Sequence, residues 1–186
     1  MPRHLSTQSP GLLLSLALIF LSLALPAAAE RGLPAREGIL NFGKVDEALY
    51  RGAQPDPAGM TNLARLGIRT IINLRMPGDV WTPEETTAKS VGILYTNIPL
   101  AGVGRPSDTQ IRQALEAIRN APGPVFVHCQ HGCDRTGTVV ACYRIEKAGW
   151  SSDAALTEAV RYGMSSLERG MKSFVIDFGK SKRTKP

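Results

Sequence analysis

Residues 125–137, VFVHCQHGCDRTG, constrain the fold more than any other stretch of the chain. Val125, Phe126 and Val127, followed by His128, make an apolar run too short for a helix, as expected of a strand covered on both faces. A loop follows, and residues 136–148 read as a helix. A buried strand that feeds a helix through a tight loop belongs to the strand–helix alternation that builds parallel sheets. The expected fold class is therefore α/β: a single domain with a mostly parallel central sheet flanked by helices.

The remaining segments agree with that alternation. Residues 40–54 predict two short strands that turn at Asp46 and Glu47. Residues 55–66 predict a helix with Asp56 as N-cap and Pro57 at its first position, ended by Gly67. Residues 68–74 (IRTIINL) and 93–100 (ILYTNIPL) predict strands, with a helix over residues 82–91 between them. Ser107 or Asp108 then caps a helix whose apolar face is Ile111, Ala114, Leu115 and Ile118. Residues 151–162 and 165–178 predict two more amphipathic helices, each entered through serines.

The first 29 residues are of another kind. Arg3 and His4 precede a charge-free apolar run over residues 11–25, and Ala27-Ala28-Ala29 supplies a small-residue cleavage site. That is the pattern of a secretory signal peptide, which predicts a periplasmic or secreted protein with no stable membrane insertion after cleavage. The expected organisation is signal peptide 1–29, linker 30–37, catalytic domain 38–180 and basic tail 181–186. The net charge of +6 is spread along the chain apart from that tail. It favours anionic small substrates and gives no basic patch for a nucleic-acid partner.

The loop carries the chemistry. Cys129 and Arg135 stand with five residues between them, at a strand end and a helix start. A thiol facing a helix N-terminus and a cation is expected to ionise readily and to act as a nucleophile. Gly132 lets the backbone turn so that successive N–H groups point inward as an anion nest. The Arg135 guanidinium can fork two oxygens of a phosphate and hold them more tightly in the transition state. Thr136 places a hydroxyl where it can donate to the Cys129 sulfur. His128 is expected to brace the loop by hydrogen bonds. Cys133 is placed either to pair with Cys129 under oxidation or to fill the loop interior. Together these residues predict cleavage of phosphate esters through a cysteinyl-phosphate, without metal or other cofactor.

The order His-Cys-x5-Arg-Thr-Gly resembles the signature of the cysteine-dependent protein tyrosine phosphatase superfamily, most closely its small dual-specificity group with bacterial exported members. Residues 49–55 (LYRGAQP), 71–75 (IINLR) and 98–100 (IPL) resemble further segments of that family. The resemblance implies that Cys129 is the nucleophile and that Arg135 binds phosphate. It also implies that Gln130, His131, Gly132, Cys133, Asp134 and Arg135 form the substrate cradle. A phosphorylated protein or a small phosphate ester, phosphotyrosine or another aryl phosphate foremost, is then the expected substrate. The family's general acid is an aspartate some tens of residues before the cysteine, but Gly102, Val103 and Gly104 occupy that loop here. Asp108 is the nearest carboxylate, placed to serve either as that acid or as a helix cap. Asp134 lies within the loop itself, to act through a water or to brace it. Two alternatives stand beside this reading. One is a non-catalytic phosphate-binding module. The other is a different cysteine–arginine loop enzyme, such as an arsenate reductase or a sulfurtransferase.

Overall fold

A computed structural model describes residues 32–183 of the chain. The expected signal peptide, and with it the expected location, falls on residues outside this range.

Five strands form one sheet in the order β1 (Gly43–Lys44), β2 (Leu49–Gly52), β5 (Val125–His128), β3 (Thr70–Asn73), β4 (Leu94–Asn97). Only β1 runs antiparallel to its neighbour; the other pairs are parallel. Every residue of β3 and β5 is buried, because these strands lie inside the sheet and are covered on both sides. Alternation along them splits the core in two. Ile72, Val125 and Val127 point to the side covered by α3 (Asp108–Asn120), α4 (Asp134–Ala148) and α6 (Arg169–Arg183). Ile71 and Phe126 point to the side covered by α1 (Pro57–Arg65) and α2 (Glu84–Ser90).

Local signals explain most element ends. Asp56 caps α1 by accepting from the Gly59 N–H at 2.7 Å. Ser107, with Gln110, forms a complete capping box at the start of α3, and the four residues of the expected apolar face are the ones buried. The start of α4 falls at Asp134, two residues before its expected start, so the loop between strand and helix is shorter than the pattern suggests.

Two helices begin later than expected, for one reason. The Glu84 N–H bonds to the Trp81 carbonyl, which makes residues 81–84 a turn that precedes α2. The Ser165 N–H is held by Asp134 Oδ1 at 2.7 Å, and Glu168 N bonds back to Ser165 O. Ser165 thus anchors a turn to the start of α4, and α6 starts only at Arg169, after α5 (Ser152–Arg161) has ended. Its last turn extends to Arg183, into the stretch expected to be a basic tail. Among the described residues, no helix is long and apolar enough to cross a membrane.

Candidate active site

The loop from Cys129 to Cys133 joins the end of β5 to the start of α4, at the carboxyl edge of the parallel strands where α/β sheets hold ligands. Its carbonyls are tied away from the cleft one after another. The Cys129 oxygen lies 3.1 Å from His128 Nδ1. The Gln130 oxygen accepts from the Gln54 N–H at 3.2 Å. The His131 oxygen accepts from Asn41 Nδ2 at 3.2 Å and from Cys133 Sγ at 3.3 Å. The Gly132 oxygen accepts from Arg51 Nη2 at 2.9 Å. In a trans peptide the C=O and the next N–H point in opposite directions. Holding these oxygens outward therefore turns the following N–H groups inward, and those of Gln130, His131 and Gly132 donate to no acceptor among the described residues. The result is a nest of donors at a helix N-terminus, suited to an oxyanion.

Gly132 makes this path possible. Its φ is +69°, and a Cβ there would lie 2.4–2.7 Å from the backbone of Gly52 and Ala53 on β2. Neither the left-handed conformation nor the clash can be relieved by moving a side chain. Gly132→Ala is expected to cost about 2 kcal/mol or more of stability and to displace the nest. A melting curve and a phosphate-release assay on the same preparation check both effects; unchanged values in both would contradict the strain.

The loop borders a cleft of about 580 Å³. Cys129, Gln130, His131, Asp134 and Arg135 line it, and so do residues 102–104 and the turn before α6. Arg135, on the first turn of α4, is 6% exposed, and its Nη1 is buried without a hydrogen bond to the protein. Gly132 and Cys133 are buried behind the loop. The Cys133 thiol is engaged with the His131 carbonyl and lies 3.5 Å from Asn41 Nδ2, which is the loop-filling arrangement. The Thr136 hydroxyl is buried and makes no hydrogen bond, to the Cys129 sulfur or to any other group. Cys142 is a core residue whose thiol is pushed up by burial.

The two expected acid candidates separate. Asp108 is exposed and lies outside the cleft, because the Ser107 capping box makes it the first helical residue. There its charge complements the helix dipole, and the cap itself is Ser107. Asp134 does line the cleft, but its Oδ1 braces the Ser165 turn.

Three partners of the loop had no assigned role in the sequence. Glu84, wholly buried on α2, places Oε1 2.7 Å from His128 Nε2. Its Oε2 accepts from Asn73 Nδ2 at 2.7 Å. With Nδ1 at the Cys129 carbonyl, both His128 nitrogens face oxygens. Arg51 is 1% exposed, its guanidinium 3.8 Å from the centre of the Tyr162 ring. Burial lowers its pKa to about 10, against the opposing pull of Tyr162, Glu158, Cys129 and Cys133, so it stays a cation beneath the loop at neutral pH. Asn41, with φ +56°, links residue 33, the loop and the Tyr162 carbonyl through one amide. The one available hint was Arg51, a lone cation inside an otherwise apolar strand. Glu84 and Asn41 carry no local signal.

This architecture is shared by known proteins. The family described as "DSP-PTPase phosphatase fused to NAD+ Kinase" matches residues 35–177. Dual specificity protein phosphatase TpbA of Pseudomonas aeruginosa (strain UCBPP-PA14) is 31% identical over 127 residues, covering 67% of this chain and 55% of that protein. The chain thus spans about half the length of this relative. Putative tyrosine-protein phosphatase OCA1 of Mycosarcoma maydis is 33% identical over 129 residues, covering 66% of this chain and 79% of that one. Among solved structures, P. aeruginosa TpbA superimposes with a TM-score of 0.66 at 25% identity, over 84% of this chain and 99% of that one. The catalytic core of SIW14 from S. cerevisiae does so with a TM-score of 0.69 at 23% identity, over 78% and 89%, which speaks to the fold. With a family match that runs from before β1 into α6 and takes in the whole loop, the chain belongs to the DSP-PTPase family of cysteine-based dual-specificity and tyrosine phosphatases.

Proposed function

We propose that this protein hydrolyses phosphate monoesters, aryl phosphates such as phosphotyrosine foremost, through a cysteinyl-phosphate on Cys129. The observation that carries the reading is the row of outward-tied carbonyls, which aims unpaired N–H groups into the cleft beside Cys129 and Arg135. Donors held in place before the substrate arrives stabilise developing charge without reorganising. The Cys129 sulfur attacks phosphorus, and the S–P bond forms as the P–O bond to the leaving group breaks. Arg135 and the nest hold the equatorial oxygens. Water then attacks phosphorus, the S–P bond breaks, and inorganic phosphate leaves. Buried Arg51 contributes positive charge below the loop and fixes the Gly132 peptide.

The aryl preference rests on the cleft walls. Val103 and Leu167 are 74% and 82% exposed, come from different loops and line the cleft, so an aromatic ring would cover apolar surface there. No lysine stands in the loop, which gives a polyphosphate less to bind. Relatives include proteins named as inositol diphosphatases, and a TpbA variant was solved in complex with pTyr. A panel of phosphotyrosyl peptide, phosphoseryl peptide and inositol diphosphate separates these substrates. The phosphotyrosyl peptide is expected to show the highest kcat/KM; a higher value for the inositol diphosphate would reverse the assignment.

A further inference from the structure

We infer that Glu168 is the general acid of this site, taking the role for which residues 102–104 hold no carboxylate. The inference rests on the phosphatase reading above and names the proton donor within it. Four carboxylates bear on the question. Asp108 lies outside the cleft, and Asp134 is committed through Oδ1 to the Ser165 turn. Asp79 reaches the cleft from a short exposed turn, Pro77–Asp79, where its side chain makes no hydrogen bond. Glu168 lines the same cleft as Cys129 and Arg135 and is 8% exposed. Its Oε2 accepts from the Gly104 N–H at 3.2 Å, while Oε1 makes no hydrogen bond among the described residues. A carboxyl anchored through one oxygen and open at the other can be held in place for proton transfer.

The expected acid loop is built to present this residue. Gly170 packs so closely that a Cβ would lie 2.5 Å from Arg105 N and 2.6 Å from the Gly104 carbonyl carbon. Arg105 in turn pairs with Asp177 at 3.0 Å and bonds to Ser173 Oγ at 3.2 Å, both on α6. Residues 104–105 are thus fastened to the first turns of α6, and Glu168, just before that helix, stands where loop and helix meet.

The two steps balance with one proton. As the S–P bond forms and the P–O bond breaks, protonated Glu168 gives its proton to the leaving oxygen, which departs as the alcohol or phenol. As water attacks the phosphocysteine, the Glu168 carboxylate takes a proton from it and the thiolate is regenerated.

Glu168→Gln tests this, because glutamine keeps an oxygen for the Gly104 N–H but has no proton to give. Phosphate release is measured across phosphate esters of increasing leaving-group basicity, from a nitrophenyl to an alkyl ester. The expected loss is small for the nitrophenyl ester and grows to roughly 10²–10⁴-fold for the alkyl ester. Glu168→Asp, which retains a proton on a shorter arm, is expected to recover part of the alkyl-ester rate. A loss equal across all esters would make Glu168 a purely structural residue and overturn the inference. So would a leaving-group-dependent loss in Asp79→Asn with none in Glu168→Gln. Failure of the phosphatase reading looks different: wild-type protein would then release no phosphate from any ester.

Discussion

Cys129→Ser is expected to lower phosphate release by on the order of 10⁶-fold while leaving phosphate-ester binding intact. Cys129 sits at the end of β5 with 3% exposure, at the floor of the donor nest. A serine hydroxyl there is a weaker nucleophile than a thiolate, because it stays un-ionised at neutral pH. The His128 imidazole is engaged with the Cys129 carbonyl and lies against Glu84. None of the contacts that tie the loop carbonyls uses the Cys129 sulfur, so the nest and Arg135 keep their geometry in the variant. Acid quench of wild-type protein mixed with a radiolabelled aryl phosphate is expected to trap label on Cys129, and none on the serine form. Each contrary result points to a different protein. Binding without turnover in the wild type marks a phosphate-binding module. Full activity in Cys129→Ser places the nucleophile elsewhere.

Removing the Glu84 carboxylate is expected to be the most destabilising single change at the site. Glu84→Ala takes from His128 its carboxylate partner and leaves Asn73 with only the Tyr95 hydroxyl of its two acceptors, both residues being wholly buried. Water does not reach them to replace it, and breaking a buried pair from one side costs about 3–5 kcal/mol. For a domain of this size that lowers Tm by roughly 6–20 °C. Activity falls as well, because His128 positions the Cys129 carbonyl and thereby the first N–H of the nest. A thermal melt followed by fluorescence, with kcat/KM measured well below the transition, checks both effects. A Tm within about 2 °C of wild type would mean that the pair contributes little to stability. Tyr95, whose hydroxyl is raised to about 12 chiefly by burial and then by Glu84, is a neutral member of this network at any ordinary pH.

Much of this was legible because it depends on neighbours in the chain. The strand at residues 125–128, the helix after it and the Cys-x5-Arg spacing are local, and each follows from periodicity, a turn glycine or bond geometry. The capping serine at 107 and Asp56 before α1 are local in the same sense. Where expectation and structure part, a turn or a cap that the pattern did not show has intervened, at α6 from a distant segment. Ser165 reads as a helix cap, yet Asp134, 31 residues away, claims its N–H, and α6 starts at Arg169. Asp108 reads as an acid near the loop, yet the capping box starts α3 there and leaves it outside the cleft.

The sequence by itself determined the α/β alternation, the cysteine and arginine on one loop, and the absence of a carboxylate at residues 102–104. Only the tertiary structure decided what holds that loop. Arg51, Asn41, Gln54 and Glu84 come from the first half of the domain and are brought beneath or beside it by the parallel pairing of β2 and β3 with β5. It decided equally that Glu168 shares the cleft with Cys129, because the Ser165 turn held by Asp134 and the close packing of Gly170 on residues 104–105 place the chain just before α6. Hydrogen bonds of this kind are specified by the meeting of backbones far apart in the chain. No periodicity or spacing within one segment encodes them.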